Sequence, residues 1–158
     1  MDRRKRITYI IWIAATLFVG LLSGLLSMGG MEIYNDTAIK PALTPPSILF
    51  PIVWTVLYTL MGFSAARVWL AEPSENRNRG LNLYVAQMIF NFFWSLIFFN
   101  AQAFGFAAIW LLVLWLLVFF MILEFYKVDK LAALLQIPYL VWLTFAGYLN
   151  VAVWLMNR

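Results

Sequence analysis

Five long runs with almost no charge dominate this chain, at about 7–28, 47–70, 81–101, 105–125 and 131–156. A helix needs roughly 20 residues to cross a hydrocarbon core of about 30 Å. In lipid, a helix satisfies its own backbone N–H and C=O groups. Strands of a membrane barrel would read as shorter segments of alternating polarity, and these runs do not alternate. The intervening segments are short apart from residues 29–46, which leaves no room for a soluble domain. Only 11% of the residues are charged and 65% are hydrophobic, against about 25% charged in a soluble domain. The chain lacks the polar surface to cover itself. It reads as one all-α integral membrane domain over residues 1–158, a bundle of five helices with one longer loop at 29–46.

The charges set an expected orientation. Arg3, Arg4, Lys5 and Arg6 precede the first run, which is longer than a signal peptide's apolar region and is followed by four more, so an uncleaved helix is expected. With this end inside, Arg67, Arg77, Arg79, Lys127 and Lys130 also fall inside, and only Lys40 and Arg158 fall outside. The positive-inside rule then predicts a multi-pass protein of the cell membrane with a cytoplasmic N-terminus and an outer C-terminus. The net charge of +4 follows from this asymmetry and does not point to nucleic acid.

Neither Cys nor His occurs. Disulfides, thiolate nucleophiles, Cys/His zinc sites, Ser-His-Asp triads and histidine-ligated haem are therefore excluded, and no cofactor or metal site is expected. Nor does Asp, Glu, Lys or Arg fall mid-span, which argues against proton-coupled transport, voltage sensing and charge-ring channels. Glu124 lies near the inner end of the fourth run, where it reaches water or pairs with Lys127.

Small residues mark where helices approach in lipid. Gly20 and Gly24, with Ser23 and Ser27 beside them, mark the first run; Gly62 and Ala66 mark the second; Ala146, Gly147 and Asn150 mark the fifth. Thr44-Pro45-Pro46 reads as a helix start with threonine as cap. Pro138 lies inside the fifth run, where it predicts a kink and a freed carbonyl. Gln87, Asn91 and Ser95 are spaced by four, so they share one face of the third helix. That face suits interhelical hydrogen bonds or the few polar groups of an apolar ligand pocket. Trp12, Trp69 and Trp154 lie toward span ends, as an interfacial belt would have them, and Trp110 could join them. Trp54, Trp94, Trp115 and Trp142 are deeper, suited to packing or, near Asn91, to a flat aromatic ligand.

Specific motifs follow in order along the chain. The second helix and its approach read Lys40-Pro41-Ala42-Leu43-Thr44-Pro45-Pro46, then Pro51-Ile52-Val53-Trp54-Thr55-Val56-Leu57-Tyr58. The third carries Asn91-Phe92-Phe93-Trp94-Ser95, and the fifth Pro138-Tyr139-Leu140-Val141-Trp142-Leu143-Thr144-Phe145-Ala146 with Leu149-Asn150. Nearly the whole chain thus resembles the TspO/MBR family, the tryptophan-rich sensory proteins of bacteria and the mitochondrial translocator protein. The resemblance implies a five-helix bundle whose apolar pocket lies near the first loop and binds protoporphyrin IX, haem and other flat hydrophobic ligands. On matching positions it implies Trp54, Asn91, Trp142 and Ala146 as pocket residues and Pro45 and Pro46 as the lid hinge, with Tyr58, Trp94 and Asn150 in support. Leu43 stands where the family commonly has Trp, and Trp110 where an Asp is often found. Val151 breaks the pattern of the animal cholesterol motif, so no dedicated sterol site is expected.

Three functions are compatible with these residues. The first is a membrane receptor or carrier for tetrapyrroles, acting in porphyrin sensing or transport without catalysis. The second is a light- or oxygen-dependent porphyrin-degrading enzyme using Trp54 and Trp142, although no acid–base pair or metal site supports it. The third is a non-catalytic partner protein in the bilayer; the resemblance also implies a homodimer.

Overall fold

The computed structural model describes residues 1–158 and is helical throughout. The helices are α1 (Arg3–Thr37), α2 (Leu49–Trp69), α3 (Glu75–Ser95), α4 (Phe104–Val128) and α5 (Lys130–Met156), with a π-helical turn, Leu96–Asn100, extending α3. All five are long and apolar enough to cross a membrane. Helix α1 lies on α2, α3 on α4 and α4 on α5, while α2 packs against α5 more than against α3, its successor in the chain. The core runs through Met61, Ala65, Val68, Leu114, Val118, Met121, Phe125, Tyr139 and Leu143.

The first loop is shorter than the expected 29–46, because α1 continues through Gly29 and Gly30 to Thr37. A mid-helix glycine costs only about 1 kcal/mol relative to alanine, and Gly30 has a packing role. An added Cβ there would meet the Asn100 side chain and lie 2.6 Å from the Phe99 backbone. Gly30 therefore seats α1 on the π-helical turn instead of ending the helix. With about 1.5 Å of rise per residue, α1 is about 52 Å long and overshoots a hydrocarbon core of about 30 Å.

Two other helix starts differ from the expected ones. Thr44 does not cap α2; its hydroxyl donates to the Pro41 carbonyl at 2.7 Å, closing a turn, and the helix begins at Leu49. The polar residues ahead of the third run are helical as well. Ser74 caps α3 by accepting from the Arg77 N–H at 3.1 Å, and Glu75 meets the positive end of the helix dipole. Helix α5 runs unbroken through Pro138, which lies on its exposed side.

The glycine pairs divide. Gly20 lies under the Tyr58 ring and Gly62 against the α1 backbone, where an added Cβ would stand 2.6 Å from the Ile13 Cα. These two set how closely α1 and α2 approach. Gly24 has open space beside it. Glu124 pairs with Lys127 at 3.3 Å, and Arg67 pairs with Asp129 at 2.9 Å, tying the end of α2 to the α4–α5 corner.

Overpacking a tight contact costs about 1–3 kcal/mol. Gly62→Ala is expected to lose that much, read as a lower melting temperature in detergent micelles, while Gly24→Ala melts at or above the parent temperature.

An aromatic box between two helices as the candidate functional site

Residues three or four apart share a face of a helix. On α2 that spacing aligns Phe50, Trp54 and Tyr58; on α5 it brings Tyr139, Trp142 and Ala146 to one side, with Phe145 adjoining. The two faces meet. Trp54 stacks on Tyr58 at 5.3 Å between ring centroids and stands edge-on to Tyr139 at 6.2 Å and to Trp142 at 6.4 Å. Phe50 meets Trp142 edge-on at 5.8 Å, and Phe145 adjoins it at 5.6 Å. Edge-on and offset contacts suit ring quadrupoles, which disfavour a direct sandwich.

Beside this box runs a hydrogen-bond chain joining three helices. The Tyr58 hydroxyl donates to Asn91 Oδ1 at 2.7 Å. Asn91 Nδ2 donates to the Tyr139 hydroxyl at 2.8 Å, and that hydroxyl donates to Gln87 Oε1 at 2.7 Å. All four side chains are buried. Such a chain is self-consistent, because each hydroxyl gives one proton and Asn91 uses both halves of its amide. Asn91 thus braces the box from α3, and its polar atoms are already partnered.

Trp142 Nε1 is buried without a partner, as is Gln87 Nε2 at the end of the adjoining hydrogen-bond chain. An indole nitrogen can only donate, and leaving a buried donor unpaired costs about 1–3 kcal/mol. The Trp142 N–H is a free donor in a largely apolar wall. Ala146, one turn further on, is nearly fully buried and adds little bulk.

The other expected residues lie elsewhere. Trp94 Nε1 donates to Asn150 Oδ1 at 3.0 Å, and Asn150 Nδ2 donates to the Phe104 carbonyl at 2.8 Å. These two join Phe98, Phe99, Phe104 and Tyr34 in a second aromatic cluster around the π-helical turn. Trp115 is half-buried against the core, with its N–H on Thr144 Oγ1 at 2.9 Å and its ring stacked on Phe119. Trp110 donates to the Phe90 carbonyl at 2.8 Å and stacks on Phe90, so its N–H has a protein partner. Pro45 is half-buried and Pro46 exposed, in the loop leading into Phe50 and Trp54. That loop is fastened to the C-terminal end of the chain. Ile39 N–H donates to Asn157 Oδ1 at 2.9 Å, and Asn157 Nδ2 donates back to the Ile39 carbonyl at 2.8 Å.

A model of the TspO/MBR family matches residues 12–155, almost the whole helical bundle. The chain belongs to the TspO/MBR family. It is 37% identical over 150 residues to Protein CrtK of Rhodobacter capsulatus, covering 94% of this chain and 92% of that one. It is 34% identical over 155 residues to Tryptophan-rich protein TspO of Chlorobaculum tepidum, covering 98% of each chain. The human Translocator protein is 38% identical over 121 residues, covering 75% of this chain and 72% of that protein. This TspO/MBR protein is therefore a membrane protein with the five-helix plan expected of it.

Within that plan, sequence reasoning did not single out Phe50, Tyr139, Phe145, Gln87 as a member of the chain, or Asn157. The first and third had a usable signal, since they stand four and three residues from Trp54 and Trp142. Asn157 had none, because its partner is a backbone far away in sequence.

Two outcomes follow from this geometry. Asn91→Leu strands the Tyr58 hydroxyl, which has no other partner, while Tyr139 keeps its bond to Gln87; it is expected to cost about 1–3 kcal/mol for the group left unpaired, read as a lowered melting temperature. Asn157→Ala frees the loop and should speed amide hydrogen exchange at residues 39–44 while leaving exchange in the α2 interior unchanged.

Proposed function

We propose that this TspO/MBR protein binds tetrapyrroles such as protoporphyrin IX and haem, and other flat hydrophobic ligands, at the aromatic box, and acts in porphyrin sensing or transport. The observation that carries the reading is the pairing of an indole-rich wall with a buried, unpartnered donor in that wall, Trp142 Nε1. The ligand class is the one implied by the family resemblance, and the chemistry of the box suits it. A porphyrin offers a wide π-face with acceptor groups at its rim. Trp54 and Trp142 stand at 89° to each other, so one indole meets the face while the other meets the ligand edge-on, and the Trp142 N–H takes an acceptor.

Affinity in such a site comes mainly from buried apolar area. Each aromatic contact adds about 0.5–1.5 kcal/mol. The proposed grip is on the ring face and rim, so iron is not required for binding. Asn91 acts indirectly, by holding Tyr58 and Tyr139 where they support Trp54. The loop tied by Asn157 leads into Phe50 and is the segment that moves when a ligand enters. The cytoplasmic N-terminus and location in the cell membrane belong to the same proposal, on the strength of the basic residues gathered at one end.

The test is a tryptophan-quenching titration in micelles with free-base protoporphyrin IX and with haem. Both ligands are expected to bind with similar affinity. Trp54→Phe and Trp142→Phe should each weaken binding by about 2- to 13-fold, the range that one aromatic contact supplies. A strict requirement for iron, or undiminished affinity in both variants, would sink the reading.

A further inference from the structure

The net charge is concentrated at one end of the bundle. Nine of the 11 Lys and Arg residues lie at the end that holds the N-terminus and the α2–α3 and α4–α5 corners, against Asp2, Glu72, Glu75, Glu124 and Asp129. The whole excess of +4 therefore sits there. At the other end, Lys40 and Arg158 are balanced by Glu32 and Asp36.

A cleft of about 240 Å³ opens at the basic end, lined by Lys5 and Tyr9 of α1, Arg67, Leu70 and Ala71 at the end of α2, and Asp129 at the start of α5. Lys5 and Tyr9 are four apart and so share a face of α1. The Tyr9 ring is stacked on Phe63 at 4.8 Å, one turn before Arg67, which gives the cleft a firm apolar flank. The acidic residue in the lining is fully used. Asp129 Oδ2 accepts from both Nε and Nη2 of Arg67 at 2.9 Å, and Oδ1 accepts from the Ala132 N–H at 3.1 Å. Arg67 keeps Nη1 unengaged, and Lys5 takes part in none of the three ion pairs of the molecule. The lining thus carries one uncompensated positive charge, with donors on two helices and apolar carbon between them.

The geometry points to a binding site for the phosphate of an anionic lipid headgroup. A cation would be repelled by the surplus charge. A wholly apolar ligand would make no use of the Lys5 ammonium and Arg67 Nη1. A phosphate oxygen can accept from an ammonium and a guanidinium together. The cleft lies at the end of the helices, where headgroup phosphates stand, and Leu70 and Ala71 offer an apolar surface to the glycerol and first acyl carbons. Basic clefts between membrane helices are suited to this ligand. The inference is independent of the aromatic box, which holds different residues.

The experiment counts bound lipid by native mass spectrometry on the full chain in neutral micelles. Phosphatidylglycerol is compared with phosphatidylcholine of the same acyl chains. Phosphatidylglycerol is expected to be retained preferentially, and Lys5→Gln should reduce its retention about fivefold, the effect of one basic group near an anionic headgroup. Lys130→Gln removes the same charge at the same end but outside the cleft, and should leave retention unchanged. Both positions are exposed, and unchanged circular dichroism confirms that each variant folds. Equal retention of the two lipids overturns the site. An equal loss in both variants overturns it too, in favour of a diffuse field. Displacement of the lipid by millimolar inorganic phosphate overturns the lipid as source and assigns the cleft to a soluble phosphate.

Discussion

The Asn91 amide, held between the Tyr58 and Tyr139 hydroxyls, is the contact on which the functional half of this bundle depends. Helices in lipid gain little from one another's apolar surface, so specific contacts decide how they meet. Asn91 sits on α3, Tyr58 on α2 and Tyr139 on α5, so one side chain sets the positions of three helices. Both tyrosines then support Trp54, one by stacking and one edge-on. The polar face of α3 thus acts through the aromatic wall.

Close approach supplies the second constraint. Gly20 and Gly62 bring α1 against α2, and Gly30 brings α1 against the π-helical turn. That turn closes an i→i+5 bond, from the Ala101 N–H to the Leu96 carbonyl at 3.0 Å, and shifts the helical register where Phe98 and Phe99 pack around Tyr34. Trp94 and Asn150 belong to this second cluster and stabilise the end of the bundle at which the first loop is fastened. Tryptophans that look equivalent by depth therefore have different tasks: Trp54 and Trp142 form the box, Trp94 locks two helices, and Trp115 ties α4 to α5 through Thr144.

Much of the fold was legible because a membrane span is a one-dimensional property. Length and the absence of charge suffice, and the five runs correspond to the five helices. The ends were less legible. Residues 29–37 and 75–80 carry charged and polar side chains that look like loop, yet they continue helices beyond the apolar core. There the Ser74 cap and the seat of Gly30 outweigh composition. The candidate site was legible in its principal tryptophans through the family motifs, whereas Asn91 changed role once its partners were visible.

The sequence by itself determined the number of spans, their helical nature, the basic asymmetry between the two ends and membership of the TspO/MBR family. These follow from local properties: run length, charge and motif order. Only the tertiary structure decided which indoles share a wall, that Trp142 keeps a free donor, that Asn91 is already engaged, and that Asn157 fastens the first loop. Each of these is a pairing between residues far apart in the chain, and side-chain partners in lipid are chosen by helix packing, which no local pattern encodes.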